Sequence, residues 1–126
     1  MFIGCLRQDI GLQVNKIALV VEDDPFVRRY IKLMLKECKF IVHEASTRAE
    51  AEKMALNYHF DLAVLDGMLP DGSGIGIAEK LDCQVIFVSG VTDQYNRQAM
   101  WKLGTVYQKP VDASFIECVK GVYNGA

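Results

Sequence analysis

The stretch Asp61-Leu62-Ala63-Val64-Leu65-Asp66-Gly67-Met68-Leu69-Pro70-Asp71-Gly72-Ser73-Gly74 decides how the rest of the chain folds. Apolar residues 62–65 end in a carboxylate, and a loop of Gly, Pro and Asp follows. Runs this short, bounded by turn formers, are strands covered on both faces. Asp66 therefore falls at a strand's C-terminal tip, where open α/β sheets assemble their chemistry. Taken alone it is as readily loop punctuation, because Asp is common wherever strands turn.

Three further runs shift the balance. Residues 17–21 end in Glu22-Asp23-Asp24, residues 85–88 in Ser89-Gly90, and the weaker run 106–108 in Lys109-Pro110. In a parallel sheet all four tips open on one edge, so acids, a hydroxyl and an amine converge.

Between these runs the helix signals are regular. Asp24 reads as an N-cap with Pro25 at the first helical position. Val27, Tyr30, Ile31, Met34, Leu35 and Cys38 form that helix's apolar stripe, with Arg28, Arg29, Lys32 and Lys36 on a solvated face. Residues 40–45 alternate as a second strand, in which His43 is a packing or exposed residue. Thr47-Arg48-Ala49-Glu50 is a capping box opening a helix to about Tyr58. A short helix is expected over about 73–81. A fourth, capped by Thr92 or Asp93, runs to about Leu103 with Gly104 as its stop. Asp112 caps a last one bearing Phe115, Ile116, Val119 and Val122. Five strand–helix alternations predict an α/β domain: a doubly wound, five-stranded parallel sheet with right-handed crossovers and helices on both faces. Residues 16–126 form that domain, and residues 1–15 are an N-terminal extension, flexible or docked as an arm.

Fourteen basic against sixteen acidic residues give a net charge of −2, which supplies no field for holding nucleic acid. No apolar run nears the ~20 residues that span a membrane. Cys5, Cys38, Cys83 and Cys118 show no paired or zinc-type spacing, so free thiols in a reducing cytoplasm are expected.

Leu19-Val20-Val21-Glu22-Asp23-Asp24-Pro25, Leu65-Asp66-Gly67-Met68-Leu69-Pro70-Asp71-Gly72, Val88-Ser89-Gly90 and Gln108-Lys109-Pro110 together resemble the receiver domain of two-component response regulators, of the chemotaxis-regulator type. The resemblance runs from about Lys16 to the C-terminal helix and implies a flavodoxin-like sheet of order 2-1-3-4-5. It implies that Asp66 accepts a phosphoryl group from a sensor histidine kinase or a histidine phosphotransfer protein, forming an aspartyl phosphate. Mg²⁺ would be held by Asp23, Asp66 and the backbone carbonyl of Met68, with Glu22 acting mainly through water. Lys109 would pair with the phosphoryl oxygens and Ser89 would donate to one of them. It implies no enzyme beyond Mg²⁺-dependent self-phosphorylation and dephosphorylation at Asp66. Output would pass by conformational change to a downstream protein. The fourth helix, fifth strand and fifth helix form the contact or dimer face, with Trp101, Tyr107 and Tyr123 as anchors. Simple core packing is an equal alternative for Trp101.

Elementary electrostatics points the same way. Carboxylates ~4 Å apart repel by about 4 kcal/mol at an effective dielectric of 20, so the rim calls for a cation or raised pKa values. A dinucleotide loop is a poor alternative. The glycines of Gly72-Ser73-Gly74-Ile75-Gly76 are misspaced for it, and the first strand–helix turn is acidic. A haloacid-dehalogenase-type phosphatase would want a second acid where Met68 stands. The chain departs from the family at Val106, where receivers usually carry an aromatic residue that swings inward. The alternative function is therefore a phosphate-independent, receiver-like scaffold or protein-binding module. Apolar Met68 and Val91 border the expected path of the attacking water, which implies a long-lived phosphoryl group.

Overall fold

The computed structural model describes residues 16–90 and 96–123. In chain order the elements are β1 (Lys16–Val21), α1 (Pro25–Glu37), β2 (Phe40–Ala45), α2 (Arg48–Asn57), β3 (Leu62–Asp66), β4 (Met68–Leu69), β5 (Gly72–Ser73), α3 (Ile75–Ala78), β6 (Gln84–Ser89), α4 (Arg97–Leu103), β7 (Thr105–Gln108) and α5 (Phe115–Tyr123). The main sheet is parallel throughout, in the order β2-β1-β3-β6-β7. Without the two-residue strands β4 and β5, which pair antiparallel with each other, this is the expected 2-1-3-4-5.

Alternation along the strands separates two apolar layers. Leu19, Val21, Ala63 and Leu65 pack with Ala51 of α2, Ile77 of α3 and Met100 of α4. Ala18, Val20, Leu62 and Val64 pack with Ile31 and Leu35 of α1 and with Phe115 and Val119 of α5. β3 lies at the centre and is buried along its whole length, so it reads as an unbroken apolar run.

The starts of α1 and α2 follow the sequence closely, whereas α4 begins at Arg97 after Asn96 and α5 at Phe115. Asp24 Oδ1 accepts from Phe26 N at 2.9 Å and Val27 N at 3.2 Å, with Pro25 at the first position. Thr47 Oγ1 accepts from Glu50 N at 3.2 Å, but the reciprocal half of the box moves back one residue. Glu50 Oε1 takes Ser46 N and Ser46 Oγ, each at 2.8 Å. His43 is a packing residue, its ring 4.5 Å from that of Tyr58 and 5.8 Å from that of Phe60.

Several expectations are corrected. α3 stops at Ala78, and the chain reaches Leu81 through three-residue turns (Lys80 N to Ile77 O, 2.9 Å; Leu81 N to Ala78 O, 3.1 Å). Gly104 ends α4 in an extended conformation, φ −179°, not a left-handed one. Glycine is needed there because a Cβ would run into the Val85 carbonyl of β6. Trp101 is not core: it is 58% exposed, and Met100 takes the buried position. Tyr30, on the expected stripe of α1, is exposed as well. Arg28 and Lys32 are more than solvated surface. They hold Glu44 at 3.3 and 2.9 Å, and Arg28 Nη1 also donates to the Glu22 carbonyl at 2.8 Å. The extension 1–15, Val91 and the caps expected at Thr92 and Asp93 lie outside the described residues.

Candidate functional site

Main-chain bonds continue past the strand ends and fix the tips. Glu22 N donates to Ala45 O at 3.1 Å, Gly67 N to Val88 O at 3.2 Å and Lys109 N to Ser89 O at 2.8 Å. Glu22 and Asp66 are thereby sunk into the C-terminal edge of the sheet, 1% and 6% exposed. Asp23, one residue further along, stays exposed. Carboxylate oxygens of Glu22, Asp23 and Asp66 all lie within 4.8 Å of one another.

Lys109 Nζ enters this group from β7, 3.3 Å from Glu22 Oε1 and 3.4 Å from Asp66 Oδ2. Asp66 Oδ1 accepts from Met68 N at 3.1 Å, and Glu22 Oε2 accepts from Asp24 N at 3.2 Å. Glu22 Oε1 is buried and accepts no hydrogen bond, because Lys109 lies within ion-pair range but off the bonding direction. Burial, then the Asp66 charge, pushes the Glu22 carboxyl up to about 7, against the opposing pull of Lys109. Burial also raises Asp66, while the Met68 amide and Lys109 draw it back. For Lys109, burial disfavours the charge, yet Asp66 and Glu22 outweigh it and hold the ammonium above its ordinary value.

Lys109 thus answers two of the three clustered carboxylates, and one buried oxygen is left without a hydrogen bond. Hard oxygen donors crowded at an open rim, with a negative excess, fit a divalent cation of the Mg²⁺ type. Glu22, Asp23 and Asp66 are the side chains that could hold it.

Of the expected residues, the structure gathers Glu22, Asp23, Asp66 and Lys109. It brings the Met68 amide to Asp66, while the Met68 side chain is exposed. Ser89 is fully buried at the end of β6, one step beyond Val88, the register partner of Asp66, and its hydroxyl donates to the Gly90 carbonyl at 3.2 Å. Val106 packs into the layer of Leu65 and Phe87. Tyr107 faces the other layer, its ring 5.0 Å from Phe115 and its hydroxyl 2.9 Å from Asp112 Oδ1. Sequence reasoning missed Arg28, which holds the Glu22 carbonyl, and Asp71, whose carboxylate accepts from two amides of α2. The only signal for Asp71 was its place in a Pro-Asp-Gly turn.

The model of the response regulator receiver domain matches residues 18–117, and the chain belongs to that family. Transcriptional regulatory protein SrrA of Staphylococcus aureus is 34% identical over 83 residues, 63% of this chain. The chain spans about a third of that relative's length (34%). Among solved structures, a CheY-like receiver domain protein from Methanospirillum hungatei JF-1 aligns with TM-score 0.80 at 27% identity, covering 89% of this chain and 96% of its own. The receiver domain of sensor histidine kinase PA1611 from Pseudomonas aeruginosa PAO1, which has a magnesium ion coordinated in its active site cleft, aligns with TM-score 0.74 at 19% identity. It covers 90% of this chain and 100% of its own.

Proposed function

We propose that this receiver domain takes a phosphoryl group onto Asp66 within a two-component phosphorelay. The observation that carries the proposal is Lys109 Nζ, 3.4 Å from Asp66 Oδ2 in a pocket with a three-carboxylate cation site. In the transfer, an Asp66 carboxylate oxygen attacks the phosphorus of a phosphohistidine. The O–P bond forms as the P–N bond breaks, and the electron pair returns to the imidazole nitrogen, which is reprotonated from solvent.

Each residue has a part. Glu22, Asp23, Asp66 and the Met68 carbonyl would hold Mg²⁺. When bound, the ion supplies neutralisation of the charge on the transferring phosphoryl group. Lys109 pairs with a phosphoryl oxygen, and the Ser89 hydroxyl turns from the Gly90 carbonyl to donate to another. The donor is a sensor histidine kinase or a histidine phosphotransfer protein in the cytoplasm. Residues 16–126 form the responding domain, which turns over no external substrate. Signalling is a population shift in the loops and helix beyond Ser89. It reaches a downstream protein or a second copy through α4, β7 and α5. Trp101 is the anchor there, since Tyr107 and Tyr123 are already packed against Phe115 and Phe40.

The test is intact mass after incubation with acetyl phosphate and Mg²⁺. Wild type gains one phosphoryl group and Asp66→Asn gains none. An unmodified wild type would favour the phosphate-independent scaffold.

A further inference from the structure

We propose that Asp71 is a positioning residue for the Asp66 site, hanging the loop that follows Asp66 on the first turn of α2. This inference rests on the function proposed above and extends it to a residue outside the carboxylate pocket.

Asp71 sits at the turn between β4 and β5, where Met68 pairs with Ser73 and Leu69 with Gly72. Its carboxylate crosses to α2 and accepts from Arg48 N at 2.7 Å and Ala49 N at 3.0 Å. Those are the first two amides of the helix, which have no acceptor within it. Thr47, the helix's own cap, takes Glu50 N at 3.2 Å. Capping of α2 is therefore divided between its own N-terminus and a loop 22 to 23 residues away in sequence. A carboxylate suits this place because the helix end carries partial positive charge.

Arg48 grips the same loop from its flank. Its side chain packs tightly against Gly72 in the loop and against Gly76 of α3, where a Cβ would overlap the guanidinium. Glu52 Oε2 holds it at 3.0 Å while also holding Lys80 Nζ at 3.0 Å. The β4–β5 hairpin is thus anchored at its turn by Asp71. Its opposite end carries Met68, whose amide donates to Asp66 Oδ1. A ladder only two residue pairs long passes a displacement of the turn straight to the Met68 peptide, and so to the phosphoacceptor and the proposed metal-facing carbonyl.

A purely structural cap would look different, and Thr47→Ala is the matched control: it removes a cap bond from the same helix without touching the loop. Mg²⁺ affinity is measured by titration calorimetry on the full chain well below its melting temperature. The rate of phosphoryl uptake from acetyl phosphate is measured at saturating Mg²⁺. Asp71→Ala is expected to weaken Mg²⁺ about tenfold and to slow uptake, because residues that orient a ligating group act through that geometry. Asp71→Asn, which keeps one acceptor oxygen, falls between Asp71→Ala and wild type. Thr47→Ala melts lower but keeps its Mg²⁺ affinity within about twofold. Asp71→Ala with wild-type affinity, or Thr47→Ala weakened equally, would overturn the proposal. A wild type that neither binds Mg²⁺ nor takes up phosphoryl overturns the functional proposal as well, a result seen without any variant.

Discussion

At the C-terminal edge of the sheet, Glu22 and Asp66 are buried with Asp23 beside them and a single lysine among the three carboxylates. At the N-terminal edge, His59, Phe60, Asp61, Asp82, Cys83 and Gln84 line an open cavity of about 400 Å³. Two of the chemistry-bearing side chains there, Asp61 and Cys83, have structural reasons to be inert. Asp61 Oδ2 accepts from Ile17 N at 2.8 Å while Asp61 N donates to Ile17 O, also at 2.8 Å, so the carboxylate stitches β3 to β1. Burial, with Asp82 adding to it, pushes the Cys83 thiol up to about 11, which leaves it protonated and a poor nucleophile at neutral pH. A cavity of about 430 Å³ lies beside Lys109 and Gly90 as well, so cavity volume does not distinguish the two edges. Charge that is buried and only partly answered does, and among the described residues the three-carboxylate cluster stands at the C-terminal edge.

The contrast can be broken most sharply at Lys109. Lys109→Met removes the one cation paired with Asp66 among the described residues and should slow phosphoryl uptake about a hundredfold, measured by mass against time. A rate near wild type would leave the C-terminal edge no more special than the other. Next in size is the effect of Mg²⁺ itself. At a concentration a hundred times its Kd it should add about 2.7 kcal/mol of stability, read from denaturant melts, and Asp23→Asn should lose most of that gain. An Asp61→Asn variant should keep it.

Glu22 then sharpens the comparison through pH. Below its usual 4.5 the carboxyl is protonated whether the chain is folded or not. Between 4.5 and about 7 the unfolded chain releases the proton and the folded one retains it, so metal-free stability falls as pH rises through that window. Stability curves in chelator should therefore show wild type losing about 3 kcal/mol more than Glu22→Gln across it. Parallel curves would mean that Glu22 is not held out of water as described. The smallest effect belongs to the opposite edge. Asp61→Ala removes the acceptor for Ile17 N and should cost about 1 kcal/mol of stability while leaving phosphoryl uptake unchanged.

The carboxylate pocket was legible because its parts are strand tips, and a parallel sheet sends every tip to one edge. Runs 17–21, 62–65 and 85–88 announced the strands, and the residues after them became Glu22, Asp66 and Ser89. Val106 and Tyr107 could be assigned to opposite layers from strand alternation alone. The features that were missed depend on contacts that no local pattern encodes. Asp71 caps a helix more than twenty residues upstream, and its partners are backbone amides, which leave no trace in side-chain spacing. Arg28 looks like any helix-face arginine until β1 ends beside it and presents the Glu22 carbonyl. Gly104 has the position of a helix stop, but its need for glycine comes from the approach of β6, which is tertiary. Trp101 and Met100 are neighbours on a seven-residue helix, too short for periodicity to say which one faces inward.

The most direct test of the account is chemical mapping of the modified carboxylate. Wild type is treated with acetyl phosphate and Mg²⁺, then with hydroxylamine, which converts an acyl phosphate to a hydroxamate, and the digest is sequenced by mass. The account predicts a hydroxamate on Asp66 and on no other residue. Phosphate that survives hydroxylamine, or a hydroxamate on any other side chain, would contradict it.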